Sequence, residues 1–130
     1  MPTTSLISVV EDDQFFRESM RRLMRSLGYD VAAFPSAADF LASPRLAETA
    51  CLIADVHMPA MTGPELYEHL IEAGYEIPTI LVTAYPNDVD RTRASDGGVA
   101  CYLRKPVDER HLMLCLRAAF PSAEMPEEDS

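Results

Sequence analysis

The chain has no apolar run near the ~20 residues that a membrane-spanning helix requires. Its opening stretch, "MPTTSLIS", has neither a basic n-region nor a long apolar core, so no secretory signal is expected and the cytoplasm is the expected compartment. Positive charge is scarce: 11 Lys and Arg stand against 21 Asp and Glu, for a formal net charge of −10. That argues against direct contact with nucleic acid, which calls for a basic footprint. Cysteine is scarce too. Cys51, Cys101 and Cys115 are odd in number, far apart and never in a C-x-x-C pair. A structural zinc site or a disulfide framework is therefore not expected, and each cysteine reads as a small buried hydrophobe. No internal repeat, linker or second domain is expected. One domain is expected over 1–120, followed by a solvated acidic tail over 121–130 that holds Glu124, Glu127, Glu128 and Asp129.

What is present is a core's worth of hydrophobic residues, 48% of the chain, in patches that alternate in type. "LISVV" is a continuous strand-like run. Phe16, Met20, Leu23, Met24 and Leu27 then follow at helical spacing, with Asp13 placed to cap the helix and Gly28 to end it. "YDVAAF", "ACLIADV", "IPTILVT" and "VACYLRK" read as further strands. "SAADFLAS", stopped before Pro44, is a short helix between the first two of these. "GPELYEHLIEAG", the mostly polar "NDVDRTRASDGG" and "DERHLMLCLRAAF" read as the remaining helices. Leu112, Cys115, Leu116 and Ala119 form one stripe of the last helix, leaving Met113, Leu114 and Phe120 for other faces. The βαβαβαβαβα order predicts an α/β protein, a three-layer, doubly wound (βα)5 flavodoxin-like fold around a five-stranded parallel sheet.

In such sheets ligands bind beyond the carboxyl ends of the strands. Glu11 and Asp12 stand at the end of the first strand, Asp55 at the end of the third, Thr83 and Ala84 at the fourth, and Lys105 and Pro106 at the fifth. Two ionised carboxylates 4 Å apart repel by roughly 4 kcal/mol at an effective dielectric of about 20. A divalent cation would relieve that repulsion, and hard oxygen ligands suit Mg2+. A carboxylate can also act as a nucleophile towards phosphorus, with a lysine and a hydroxyl contacting the phosphoryl oxygens. Asp55, alone on the central strand and facing the acidic pair, is the candidate nucleophile.

Together "VVEDD", "LIADVHMPAMTG", "ILVTA" and "CYLRKPV" resemble the receiver domain of two-component response regulators, the CheY-like family. The segment "ADVHMPAMTGPEL" resembles the FixJ-type subgroup most. The resemblance runs from about Leu6 to Phe120 and implies a phosphoacceptor signalling domain rather than an enzyme, one that assists its own phosphorylation and dephosphorylation. It implies that Asp55 accepts a phosphoryl group and that Mg2+ (or Mn2+) is held by Glu11, Asp12, Asp55 and the backbone carbonyl of His57. Thr83, Ala84 and Lys105 would contact the phosphoryl group, Thr83 and Tyr102 would act as switch residues, and the Lys105–Pro106 bond would be cis. The side chains of His57 and Tyr85 fall at positions that tune phosphoryl lifetime. Glu11 in place of aspartate, Val107 after Lys-Pro, and Gly97-Gly98 depart from the commoner pattern.

The implied partners are a sensor histidine kinase or phosphotransfer protein, with Phe15 a candidate contact, and a downstream protein. A homodimer through the face of the fourth helix, fifth strand and fifth helix would serve in place of that protein. A stand-alone regulator, a phosphate sink or a phosphorelay intermediate all fit. One alternative is the receiver half of a FixJ-type transcription factor. The remote alternative, a haloacid-dehalogenase-type phosphatase, wants a second acid two residues after the nucleophile, where His57 stands.

Overall fold

The computed structural model describes residues 5–120, so the acidic tail lies outside the described residues. Five strands, β1 (Leu6–Val10), β2 (Asp30–Phe34), β3 (Thr49–Asp55), β4 (Thr79–Thr83) and β5 (Cys101–Arg104), pair in parallel in the order β2-β1-β3-β4-β5. Five helices connect or follow them: α1 (Gln14–Ser26), α2 (Ala37–Leu41), α3 (Gly63–Glu72), α4 (Asp88–Asp96) and α5 (Glu109–Ala119). The predicted α/β architecture is thus the observed one. A 3-10 turn over Pro44–Glu48, which the sequence reading missed, leads from α2 into β3.

Every residue of β1 and of β4 is buried, as expected of strands covered on both faces. Alternation along the strands then sorts the core in two. Ile7, Val9, Ile53, Ile80 and Val82 pack with Met20 and Met24 of α1 and Leu112 and Leu116 of α5. Leu52, Ala54 and Leu81 pack on the other side with Phe40 of α2, Leu66 and Leu70 of α3, and Ala94 of α4. The one polar side chain inside β1, Ser8, shares a 2.6 Å hydrogen bond with the Thr49 hydroxyl, so its burial leaves no orphan.

Asp13, Ser36, Asn87 and Asp108 cap their helices through side-chain oxygens, and Thr62 and Glu65 form a reciprocal capping box on α3. Phe120 corrects the sequence reading. It lies beyond the last turn of α5, where the chain bends it inward, and it is buried and stacked on Tyr29 at 5.6 Å.

The cysteines correct it as well. Cys101 of β5 and Cys115 of α5 are joined by a disulfide, their Cα atoms 6.0 Å apart. They stand 14 positions apart in the chain, and the pairing arises only because α5 packs back across β5. Cys51 is the free cysteine among the described residues; burial in β3 pushes its thiol up to about 12.

Candidate functional site

The chain leaves β1 towards one face of the sheet and β3 towards the other, which opens a crevice between their carboxyl ends. Into it the structure brings Glu11, Asp12 and Asp55, with one carboxylate oxygen from each lying within 4.8 Å of the others. Lys105, just past β5, reaches across with its Nζ 2.8 Å from Glu11 Oε1 and 3.4 Å from Asp55 Oδ1. Glu11 and Asp55 are buried, while Asp12 is exposed. Thr83 is fully buried at the end of β4, and its hydroxyl oxygen accepts a 3.0 Å hydrogen bond from the Tyr85 backbone N–H.

Local hydrogen bonds fix these positions. The Glu11 backbone N–H donates to the Phe34 carbonyl at 3.0 Å, extending the β1–β2 pairing by one residue. The Asp13 N–H donates to Glu11 Oε2 at 3.0 Å, and the Arg17 guanidinium donates to the Glu11 carbonyl at 2.8 Å. The Lys105 N–H bonds to the Thr83 carbonyl at 2.8 Å, and the Lys105–Pro106 peptide bond is cis. The Lys105 ammonium also stands 4.3 Å from the centre of the Phe16 ring, a cation–π contact that favours the charged form.

Burial dominates the electrostatics. It pushes the Glu11 carboxyl up to about 7, against the hydrogen bonds from Lys105 and the Asp13 N–H, while the Asp55 charge adds to the rise. Burial likewise raises Asp55, opposed by the Lys105 charge and by the His57 backbone N–H bonded to its carboxylate. Burial works against the Lys105 charge, yet its hydrogen bond to Glu11 and the attraction of both acids hold its pKa above the ordinary value. Three carboxylates against one ammonium leave negative charge uncompensated. A set of hard oxygens with excess negative charge and one solvent-facing member, Asp12, fits a divalent cation such as Mg2+.

The His57 and Tyr85 side chains are exposed, with ring centres 6.1 Å apart in an edge-on contact. Ala84 is exposed beside Thr83. Tyr102 lies half-buried on β5 with the Arg91 guanidinium 5.3 Å over its ring. Phe15 is 86% exposed on α1. A groove of about 530 Å3 between α3 and α4 touches His57 but none of the three acids or Lys105.

Three contributors escaped the sequence reading. Arg17 and Phe16 sit on α1, and only tertiary packing aims them at Glu11 and Lys105. Gly63, at the start of α3, lies so close to the Asp55 carbonyl oxygen that a Cβ there would collide with it. Its signal was in plain view, as the last residue of "ADVHMPAMTG".

A sequence profile described as "Response regulator receiver domain" matches residues 7–117. Nodulation protein W of Bradyrhizobium diazoefficiens is 35% identical over 117 residues, covering 90% of this chain and 52% of that protein. Transcriptional regulatory protein FixJ of Azorhizobium caulinodans is 32% identical over 120 residues, covering 92% and 57%. The chain thus spans about half the length of the curated relatives it matches. Among solved structures, the response regulator StyR superposes with a TM-score of 0.82 at 34% identity, covering 90% of this chain and 59% of that one. FixJ-N superposes with a TM-score of 0.80 at 23% identity, covering 97% and 99%, a likeness of fold.

Proposed function

The chain belongs to the response regulator receiver domain family of two-component signalling, and from that membership we propose that Asp55 accepts a phosphoryl group from a phosphohistidine of a sensor histidine kinase or phosphotransfer protein. The observation that carries this reading is the meeting of three carboxylates from two strands with the Lys105 ammonium at one edge of the sheet.

An Asp55 oxygen forms a bond to phosphorus as the bond from phosphorus to the donor's imidazole nitrogen breaks, so the protein consumes its own acceptor and does not turn over as an ordinary enzyme. The His57 N–H on the Asp55 carboxylate orients it for this attack. Glu11, Asp12 and Asp55, with the His57 carbonyl, are the groups that would hold Mg2+ or Mn2+. A cation bound there supplies neutralisation of the incoming phosphoryl charge. Lys105, already within 3.4 Å of Asp55, pairs with a phosphoryl oxygen. The Thr83 hydroxyl accepts from the Tyr85 N–H and keeps its own hydrogen to donate to another, with Ala84 beside it. Movement of Thr83 then biases Tyr102 and the α4–β5–α5 face, which binds a downstream protein or a second copy.

The test is intact-mass analysis after incubation with acetyl phosphate, with and without Mg2+, on the wild type and Asp55→Asn. A Mg2+-dependent gain of one phosphoryl group, lost in the variant, is the expected result. A gain that survives Asp55→Asn would remove Asp55 as acceptor.

A second reading, the receiver portion of a longer transcription regulator, is favoured by the relatives of which this chain spans about half. The size of the native polypeptide separates it from a stand-alone regulator: 14.4 kDa for the latter, about twice that for the former.

A further inference from the structure

The Cys101–Cys115 bond joins two elements that already share a core. Cys115 is buried on the inward stripe of α5 with Leu112, Leu116 and Ala119, and Cys101 packs half-buried against the same cluster from the edge strand β5. A free cysteine packs as a small hydrophobe, so the apolar surroundings accommodate both thiols as well as the bond. The third cysteine, Cys51, is fully buried and its thiol is pushed up to about 12, which removes it from exchange chemistry. The half-buried Cys101 offers the point of entry.

We propose that Cys101 and Cys115 form a reversible redox site that exchanges with a low-molecular-weight thiol–disulfide couple, and that its disulfide form clamps α5 to β5. On oxidation the Cys101 thiol loses its proton and attacks one sulfur of a small disulfide such as oxidised glutathione. That bond breaks, and one glutathione leaves as the thiol. The deprotonated Cys115 then attacks the Cys101 sulfur of the mixed disulfide, and the second glutathione leaves. Two electrons and two protons pass from the pair to the small disulfide, and reduction is the reverse. Cys101 directly precedes Tyr102 and lies on the strand that leads to Lys105. The clamp therefore restricts sliding of α5 along the strand that carries Tyr102 and leads to Lys105. It does so whether or not Asp55 accepts a phosphoryl group.

The experiment equilibrates the full chain in glutathione buffers from reducing to oxidising, quenches with acid, alkylates the unfolded chain with N-ethylmaleimide and measures intact mass. Three alkylated cysteines in the reducing buffers should fall reversibly to one in the oxidising buffers, in the wild type. Cys51→Ala should keep the transition, and Cys101→Ser and Cys115→Ser should lose it. Three thiols throughout, a bond that never reduces, a persistent glutathione adduct or an interchain dimer would each overturn the site. Amide hydrogen exchange across α5 should slow severalfold in the oxidised wild type and be the same in both buffers for Cys101→Ser. Equal exchange in both wild-type forms would overturn the clamp. A phosphoryl group on Asp55 registers as a distinct mass, so failure of one reading is seen apart from failure of the other.

Discussion

Lys105 Nζ lies 2.8 Å from Glu11 Oε1 and 3.4 Å from Asp55 Oδ1, so a single ammonium serves two buried carboxylates and leans towards the glutamate. Replacing it by alanine leaves both acids without their counter-ion. Lys105→Ala should lower stability at pH 8 by about 2 kcal/mol, less than the roughly 3–5 kcal/mol lost on breaking a fully buried pair, because the lysine side chain keeps 17% of its surface in water. The loss should shrink at pH 5, where Glu11 protonates instead. Urea unfolding of both proteins at the two pH values measures it, and an equal loss at both would discount the ion pair.

The raised pKa of Glu11 sets a pH trend. A carboxyl near 4.5 in the unfolded chain and about 7 in the folded one makes the folded state hold the extra proton between those values. Stability from this group is fully present below about 4.5 and falls as pH rises to about 7. Lys105, also raised, stays protonated in both states across that window and adds no slope. Mg2+ should oppose the trend by favouring the ionised acids, so its effect on the melting temperature should be larger at pH 8 than at pH 5.5. A thermal melt series with and without Mg2+ gives the answer, and a Mg2+ effect that does not grow with pH would count against Glu11 as part of the cation site.

Gly63 should tolerate no side chain. Its Cβ would meet the Asp55 carbonyl oxygen on one side and the Leu81 side chain at 3.0 Å on the other. Gly63→Ala should cost about 1–3 kcal/mol as an overpacking change, and it should slow phosphoryl gain from acetyl phosphate by displacing Asp55. Wild-type stability and rate in this variant would mean that the loop between β3 and α3 yields freely.

His57 and Tyr85, each two residues past a strand-end residue of the site, meet edge-on, and Tyr85 is 75% exposed. On the proposed function, a ring two residues past Thr83 is expected to shield an aspartyl phosphate from water. Tyr85→Ala should speed loss of the phosphoryl group roughly threefold, about 0.6 kcal/mol of barrier. Decay of labelled phosphoprotein after removal of the donor measures it. An unchanged decay would remove the shielding idea, and a double variant with His57→Ala would show whether the two rings act together.

The order of elements was legible because local chemistry encodes it. Runs such as Leu6–Val10 and helical stripes such as Met20 and Met24 announce their own burial, and Asp13, Ser36 and the glycine after α1 mark helix ends. The place of Glu11, Asp12, Asp55, Thr83 and Lys105 was legible for a related reason. In a parallel sheet every strand points the same way, so residues at strand ends share an edge whatever the details of packing.

Other features depend on contacts between residues that the sequence holds apart. Nothing local to Lys105 says that its ammonium settles nearer Glu11, whose other carboxylate oxygen is held by the Asp13 N–H, than Asp55. Arg17 and Phe16 look like ordinary residues of α1 until the helix docks beside the β1 end. Phe120 folds into the core because the chain bends after α5, which helical periodicity does not register. Cysteine counting pointed away from a disulfide, yet Cys101 and Cys115 pair because α5 returns across β5 and sets their Cα atoms 6.0 Å apart. Periodicity and strand direction are properties of consecutive residues, and the sequence determined what followed from them: the layers, the sheet and the edge where the site stands. Which side chains touch at that edge and across α5 depends on how the layers settle on one another, and only the tertiary structure decided it.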